Sequence, residues 1–334
     1  MFAKPMVLSL FTTRRCTAAC DHCAIGGSPR AAGAIPIRRM HGLIDEAKRV
    51  PSIRRIVFTG GECFLLGSDL DGLVAHAHEL GFETRVITNG YWAVNDAAAH
   101  RRTALIRAAG LDEMMLSTGT FHQRFVPVER VVLAARAAAI QGIRVLISVE
   151  ECDQSSFDAA VLHERLAPLI AEGMVRIDHA PWITDAGGRG TTGLSHERAM
   201  ALGISNGDQR CAQILTVVSV TPNQMLTACC GFPMEELPAL QIGSVAERTL
   251  DDVLGGAPND LFKMWLHVAG PAGIAEFIAR HLPGYRLPVS ASICEACVAL
   301  QRDPVAMGVL GEHAAEMAQS VAAQFVTLQA AGAR

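Results

Sequence analysis

Several features that would each have assigned this chain to a class are missing. It has no long run of lysine and arginine, and its formal net charge is −4 over 334 residues. A surface dedicated to nucleic acid needs clustered basic charge, so that class is set aside. No apolar stretch reaches the roughly 18 residues that span a bilayer. The N-terminus, MFAKPMVLSLF, carries one lysine and a short apolar run but no small-residue cleavage site. It reads as a buried strand rather than a signal peptide, and the expected setting is cytoplasmic. Internal repeats and low-complexity tracts are also lacking.

Cysteine is what the chain has in quantity. Ten occur, at positions 16, 20, 23, 63, 152, 211, 229, 230, 294 and 297. Without an export signal, clustered thiols point to metal or redox chemistry rather than to disulfides. Cys63 and Cys152 stand apart from the groups and read first as small buried hydrophobes. The remaining composition, 50% apolar and 19% charged, suits one large domain with a smaller one.

The first 200 residues alternate strand-like and helix-like segments. The strand candidates are 7–11, 54–60, 83–89, 112–118, 143–149 and 174–180, rich in Val, Ile and Leu with little alternation. Such runs suit parallel strands covered on both faces. Between them, Ile37, Met40, Leu43, Ile44 and Ala47 fall at helix spacing, residues 71–80 stop at Gly81, and residues 96–109 and 128–141 are alanine-rich. Strands recurring about every 30 residues with helices between them mean repeated βαβ units. The fold class is α/β, and six units fit a partial (β/α)6 barrel, although the same pattern suits an open doubly wound sheet.

The Gly-rich stretch TDAGGRGTTG (184–193) closes this region. Residues 213–228 then read as a β-hairpin around Thr-Pro-Asn-Gln. Helices are expected over 248–254 and over 259–282, the latter interrupted at Gly270-Pro271. A CEAC motif (294–297) precedes a helix running to the C-terminus. The expected division is 1–200, 205–300 and a C-terminal helix, 301–334.

The loop after the first strand reads TTRRCTAACDHCAIGG. Three thiolates at the spacing of Cys16, Cys20 and Cys23 can wrap a cubane cluster, leaving the fourth iron open for substrate chemistry. The alternative is a structural zinc site, with His22 as fourth ligand.

CxxxCxxC in the loop after the first strand resembles the signature of the radical S-adenosylmethionine (SAM) superfamily. That resemblance implies a [4Fe-4S] cluster on Cys16, Cys20 and Cys23, with SAM chelating the open iron. Reductive cleavage of SAM then yields a 5'-deoxyadenosyl radical that takes a substrate hydrogen. TGGECF at the end of the second strand is similar to the family's GGE motif, placing Gly60, Gly61 and Glu62 at the SAM amino group. TNG at the third strand end puts Thr88 and Asn89 at the same rim. By the same resemblance, Ser117 and His122 after the fourth strand, Ser148 and Glu150 on the fifth, and Arg189 in the GGRG stretch are cofactor-binding candidates.

The later cysteines resemble the shortened auxiliary-cluster domain called Twitch, a relative of SPASM domains. The resemblance implies a small α+β domain in which Cys211, Cys229, Cys294 and Cys297 hold a second [4Fe-4S] cluster. Cys230 is then either an alternative ligand or a hydrogen or electron donor, and Cys152 could return a hydrogen atom to a substrate radical. About three further ligands of a full SPASM domain are missing. Relatives of this architecture mostly modify ribosomally made peptides by oxidation, cross-linking or epimerisation. A minority oxidise small molecules such as aminocyclitol sugars. The implied partners are an electron donor such as flavodoxin or ferredoxin. Because no 80–90-residue recognition domain precedes the first strand, a leader peptide is expected to bind the barrel itself or a separate leader-binding protein. A zinc-stabilised binding module is the non-enzymatic alternative.

Overall fold

Stretches of branched apolar residues form strands where their pattern places them. In the computed structural model, which describes residues 4–153, 155–181, 197, 210–230, 235, 237–256, 260–288 and 292–331, six come first. They are β1 (Val7–Phe11), β2 (Arg55–Thr59), β3 (Glu83–Thr88), β4 (Glu113–Thr118), β5 (Arg144–Glu151) and β6 (Val175–Pro181). Each is parallel to the next in chain order. The connections carry α1 (Ile37–Lys48), α2 (Ser68–Glu79), α3 (Asp96–Ala108), the short α4 (Thr120–Gln123), α5 (Val128–Ile140) and α6 (Ala160–Ala171). Helix α6 lies where the sequence pattern marks none, because Pro168 stands inside it.

Among the described residues the ring does not close. There β6 ends the sheet, and β1 turns its second side to β7 (Val217–Val220), which runs parallel to it in the register Val7↔Val217 to Leu10↔Val220. Strands β8 (Met225–Thr227) and β9 (Gln241–Ser244) follow antiparallel. The expected hairpin therefore extends the partial (β/α)6 barrel's own sheet, giving the order β6-β5-β4-β3-β2-β1-β7-β8-β9.

Helices α7 (Leu250–Gly256), α8 (Leu261–His281), α9 (Ile293–Arg302), α10 (Pro304–His313) and α11 (Ala318–Ala331) complete the chain. Helix α8 bends at Gly270, whose φ of 64° is left-handed, just before Pro271. The single helix expected after the CxxC motif is three pieces. Pro304 cannot extend α9, and the Asp303 carboxylate instead caps α10 by accepting from the N–H groups of Val305 and Ala306.

Two large apolar cores result among the described residues. One lies between the parallel sheet and its helices; there α1 buries Met40, Leu43, Ile44 and Ala47 completely. Truncating a leucine such as Leu43 to alanine at such a site costs about 2–5 kcal/mol. The second gathers Trp265, Phe277, Leu300, Leu310 and Phe325 from the C-terminal helices.

Candidate active site

The ends of β1 and β2 are tied together before any cysteine is reached. The N–H and hydroxyl of Thr12 both donate to the Thr59 carbonyl at 2.9 Å. Beyond β2, Gly61 N–H donates to the Thr13 carbonyl (2.6 Å) and Glu62 N–H to that of Arg15 (2.9 Å). The two glycines make this seating possible. A Cβ on Gly60 would lie 2.5 Å from the Thr13 carbonyl oxygen, and one on Gly61 would lie 2.3 Å from that of Arg15. The close approach that the Gly-Gly pair permits is thus to the cysteine loop's own backbone.

The loop presents its thiols among backbone donors. Ala18 N–H points at Cys16 Sγ (3.4 Å) and Gly27 N–H at Cys23 Sγ (3.1 Å). The Asn89 amide lies 3.6 Å from Cys16 Sγ and donates to the Thr17 hydroxyl at 3.1 Å. Burial pushes the Cys16 thiol up to about 11, and the nearby Glu62 and Cys23 add to the rise. A thiolate here therefore needs a positive partner, and a metal supplies it.

Cys16, Cys20 and Cys23 form one wall of a cavity of about 250 Å³ at the C-terminal ends of the strands. Gly60 and Gly61 join it from β2, and Thr88 and Asn89 from β3. Ser117, His122, Ser148, Glu150 and Ala180 line it from β4, β5, β6 and their loops. Ser117 and Ser148 are register partners on β4 and β5, so their side chains sit abreast on the inner face. C-terminal strand ends are where ligands gather in barrel-like α/β folds.

Glu62 is fully buried below this cavity and does not line it. Its carboxylate accepts from Phe64 N–H (3.0 Å), the Thr88 hydroxyl (2.8 Å) and Asn89 N–H (2.9 Å), clamping the end of β2 to the end of β3. Burial raises its pKa to about 7, and these donors pull the other way. The geometry makes Glu62 a positioning residue for Thr88 and Asn89.

On the opposite wall Glu150 accepts from Phe121 N–H (2.8 Å) and pairs with His122 Nδ1 (3.0 Å). Gly119 makes room for it, since a Cβ there would fall 1.9 Å from the Glu150 carboxylate. His22 packs its ring 4.7 Å from His122 and 5.2 Å from Phe121. Cys152 is fully buried behind the loop, clustered with Cys16, Ala18, Cys20 and Phe121, and is not on the cavity wall. Cys63 is buried as well and donates to the Ile87 carbonyl. Arg189 and the Gly-rich stretch around it lie outside the described residues.

The C-terminal cysteines come from three places. Cys211 precedes β7, Cys229 and Cys230 follow β8, and Cys294 and Cys297 sit in the first turns of α9, whose cap is Ser292. Burial pushes the Cys294 thiol up to about 12, helped by Cys211 and Cys230, and Cys297 likewise to about 12, helped by Cys294 and Cys211. Cys230 is exposed, and its thiol is raised by desolvation and then by Cys211. Cys229 is buried in the second core, against which Cys211 and Cys297 pack.

Sequence reasoning passed over two residues that shape the site. Gly119 has a role only through Glu150, which no local pattern reveals. Gly27, which lines the cavity beside Cys23, was signalled by the Gly-Gly pair that ends the loop.

Residues 10–149, a stretch that runs from β1 into β5 and includes the cysteine loop, match the Radical SAM superfamily model. YydG of Bacillus subtilis (strain 168), assigned to peptide biosynthesis, is 26% identical over 126 residues, 38% of this chain and 39% of that protein. Among solved structures, anSMEcpe with bound AdoMet and Cp18Cys peptide shares the fold with a TM-score of 0.54 at 12% identity, over 95% of this chain and 99% of that one. SuiB of Streptococcus suis gives a TM-score of 0.49 at 15% identity, covering 68% of this chain and 61% of that one. The chain thus spans less than two thirds of the length of YydG and of SuiB. Among the described residues no helix is long and apolar enough to cross a membrane.

Proposed function

We propose that this chain is a radical SAM enzyme that modifies a ribosomally synthesised peptide. The observation that carries the reading is the cavity, where three loop cysteines face the strand-end residues of a radical SAM domain. Thiol spacing supports a cluster over a single ion. Zinc, with Zn–S bonds of about 2.3 Å, draws tetrahedral thiolates to about 3.8 Å of one another. The three loop thiols do not converge within 4.8 Å, which suits ligands to separate irons. The group that does converge there, Cys20 with His22 and His122, is the single-ion alternative.

When bound, the cluster and SAM together supply a one-electron reductive cleavage whose deoxyadenosyl radical takes a hydrogen from the substrate. The chain's own residues prepare that event. Cys16, Cys20 and Cys23 would hold three irons, with the Ala18 and Gly27 N–H groups and the Asn89 amide stabilising sulfur charge. The backbone at Gly60 and Gly61 and the polar groups of Thr88, Asn89, Ser117, Ser148 and the His122–Glu150 pair would orient SAM. Glu62 keeps the β2 and β3 contributions in register.

A second [4Fe-4S] cluster on Cys211, Cys294, Cys297 and either Cys229 or Cys230 is part of the proposal. Cys229 is buried in the core against which Cys211 and Cys297 pack, and Cys230 follows it directly, so either can supply the fourth ligand. A fully ligated cluster can take up an electron from a substrate radical. That suits oxidation or cross-linking; epimerisation would need Cys230 or Cys152 to return a hydrogen atom, and Cys152 is off the cavity wall. The peptide substrate is supported by YydG's assignment and by the peptide bound in anSMEcpe. Reduced flavodoxin or ferredoxin would deliver the electrons, and a separate protein could present a leader peptide.

Anaerobic reconstitution tests the reading. The expected result is about eight irons per chain and release of 5'-deoxyadenosine from SAM with reductant. A short peptide encoded beside the gene should then change mass. Bound zinc without SAM cleavage would sink the enzyme reading; turnover of an aminocyclitol but no peptide would redirect the substrate.

A further inference from the structure

We infer a second type of metal site, for a zinc-like divalent cation, at His281, His313 and Glu316. It shares no residue with the cavity or the cysteine groups. His281 ends α8, His313 ends α10, and Glu316 lies in the turn Ala314–Met317 that leads to α11. One carboxylate faces both imidazoles: Glu316 Oε1 is 3.0 Å from His313 Nδ1, and Glu316 Oε2 is 3.4 Å from His281 Nε2. The two rings stack 4.0 Å apart at 17°, so one ring must swing for both in-plane nitrogen lone pairs to meet an ion. The three donors lie within 4.8 Å of one another.

The donors already touch directly, and a small ion would set them slightly apart. Zinc bonds of about 2.0–2.2 Å to nitrogen and oxygen place adjacent tetrahedral ligands about 3.3–3.6 Å apart. Two imidazoles and one carboxylate suit zinc, copper or nickel and are poor for calcium or magnesium, which prefer all-oxygen sets. Three protein ligands leave a coordination position for water, and Glu312, 3.8 Å from His313 Nε2, adds negative charge nearby. The neighbouring cation is turned away. Arg280 lies over the Phe277 ring, 4.9 Å from its centroid, and donates to Met317 Sδ. An ion here would fasten the end of α8 to the last helices across the second core.

The test uses the anaerobically purified, iron-loaded full chain, equilibrated with Zn²⁺ and analysed for zinc and iron. One zinc should bind per chain with iron unchanged, and the melting temperature should rise. His281→Ala and His313→Ala should each weaken zinc binding by at least about ten-fold. Glu316 is exposed, so Glu316→Gln probes the site even where losing an imidazole unsettles the helices. Zinc retained equally by all three variants, zinc gained only as iron is lost, or no zinc bound would each overturn the assignment. The readout is separate from SAM cleavage, so the site stands or falls apart from the proposed reaction.

Discussion

In the N-terminal half, three cysteines share one short loop, and backbone hydrogen bonds to the ends of β1 and β2 hold that loop in place. In the C-terminal half, five cysteines arrive from three positions far apart in the chain, before β7, after β8 and at the start of α9. The first arrangement is local and rests on two glycines and one buried carboxylate. The second depends on the hairpin and the helices of the second core staying docked. The loop cysteines thus rest on a local hydrogen-bonded frame, while the C-terminal cysteines depend on tertiary packing.

The contrast breaks most completely at the ligands. Cys16→Ala should abolish 5'-deoxyadenosine release and remove about four irons. Replacing Cys211, Cys294 and Cys297 by alanine should also remove about four irons, yet leave SAM cleavage without peptide present. If both sets of changes silenced SAM cleavage equally, the division of labour would be wrong. Next comes Gly61→Ala, whose Cβ would meet the Arg15 carbonyl at 2.3 Å. It should displace the cysteine loop, lowering both iron content and SAM affinity by ten-fold or more, on the order of 1.4 kcal/mol or above. The equivalent helix-side change, Gly308→Ala, meets nothing within 4 Å and should be near neutral.

A smaller effect sharpens the fourth-ligand question. Of Cys229→Ala and Cys230→Ala, only the one that removes a ligand should lower the auxiliary iron, the other leaving it unchanged. Unchanged iron in both variants would remove both from the ligand set.

Glu62 gives the mildest signal, read in pH. Its carboxyl stands at about 7 in the fold against an ordinary 4.5. The folded chain therefore takes up this proton more readily than the unfolded one. The associated stability is fully present below about pH 4.5 and is lost as the pH rises through about 7. Melting temperatures of the metal-free chain should include a component that rises from about pH 8 to about pH 6. Glu62→Gln should flatten that component and cost about 1–3 kcal/mol, since Asn89 N–H or Phe64 N–H then faces a donor.

The parallel strands were readable because buried βαβ units leave unbroken apolar runs, and GGE and TNG mark strand ends directly. The sequence also placed Ser117 and Ser148 at one rim, although only the β4–β5 register shows them abreast. What stayed hidden depends on partners distant in the chain. Gly119 needs Glu150 to explain it, and the bonds that Thr88 and Asn89 make to the Glu62 carboxylate join positions far apart in the chain. The joining of β7 to β1 is equally invisible, because a hairpin's own pattern does not say which strand it will extend.

That joining has a consequence for cutting the protein. β1 carries β2 on one side and β7 on the other. A fragment ending after β6 would leave Val7–Leu10 with a bare row of backbone donors and acceptors and apolar side chains on both faces. Such a row invites pairing with another copy of itself. The hairpin shields the strand that leads into the cysteine loop, so the radical SAM half is expected to aggregate when made without it.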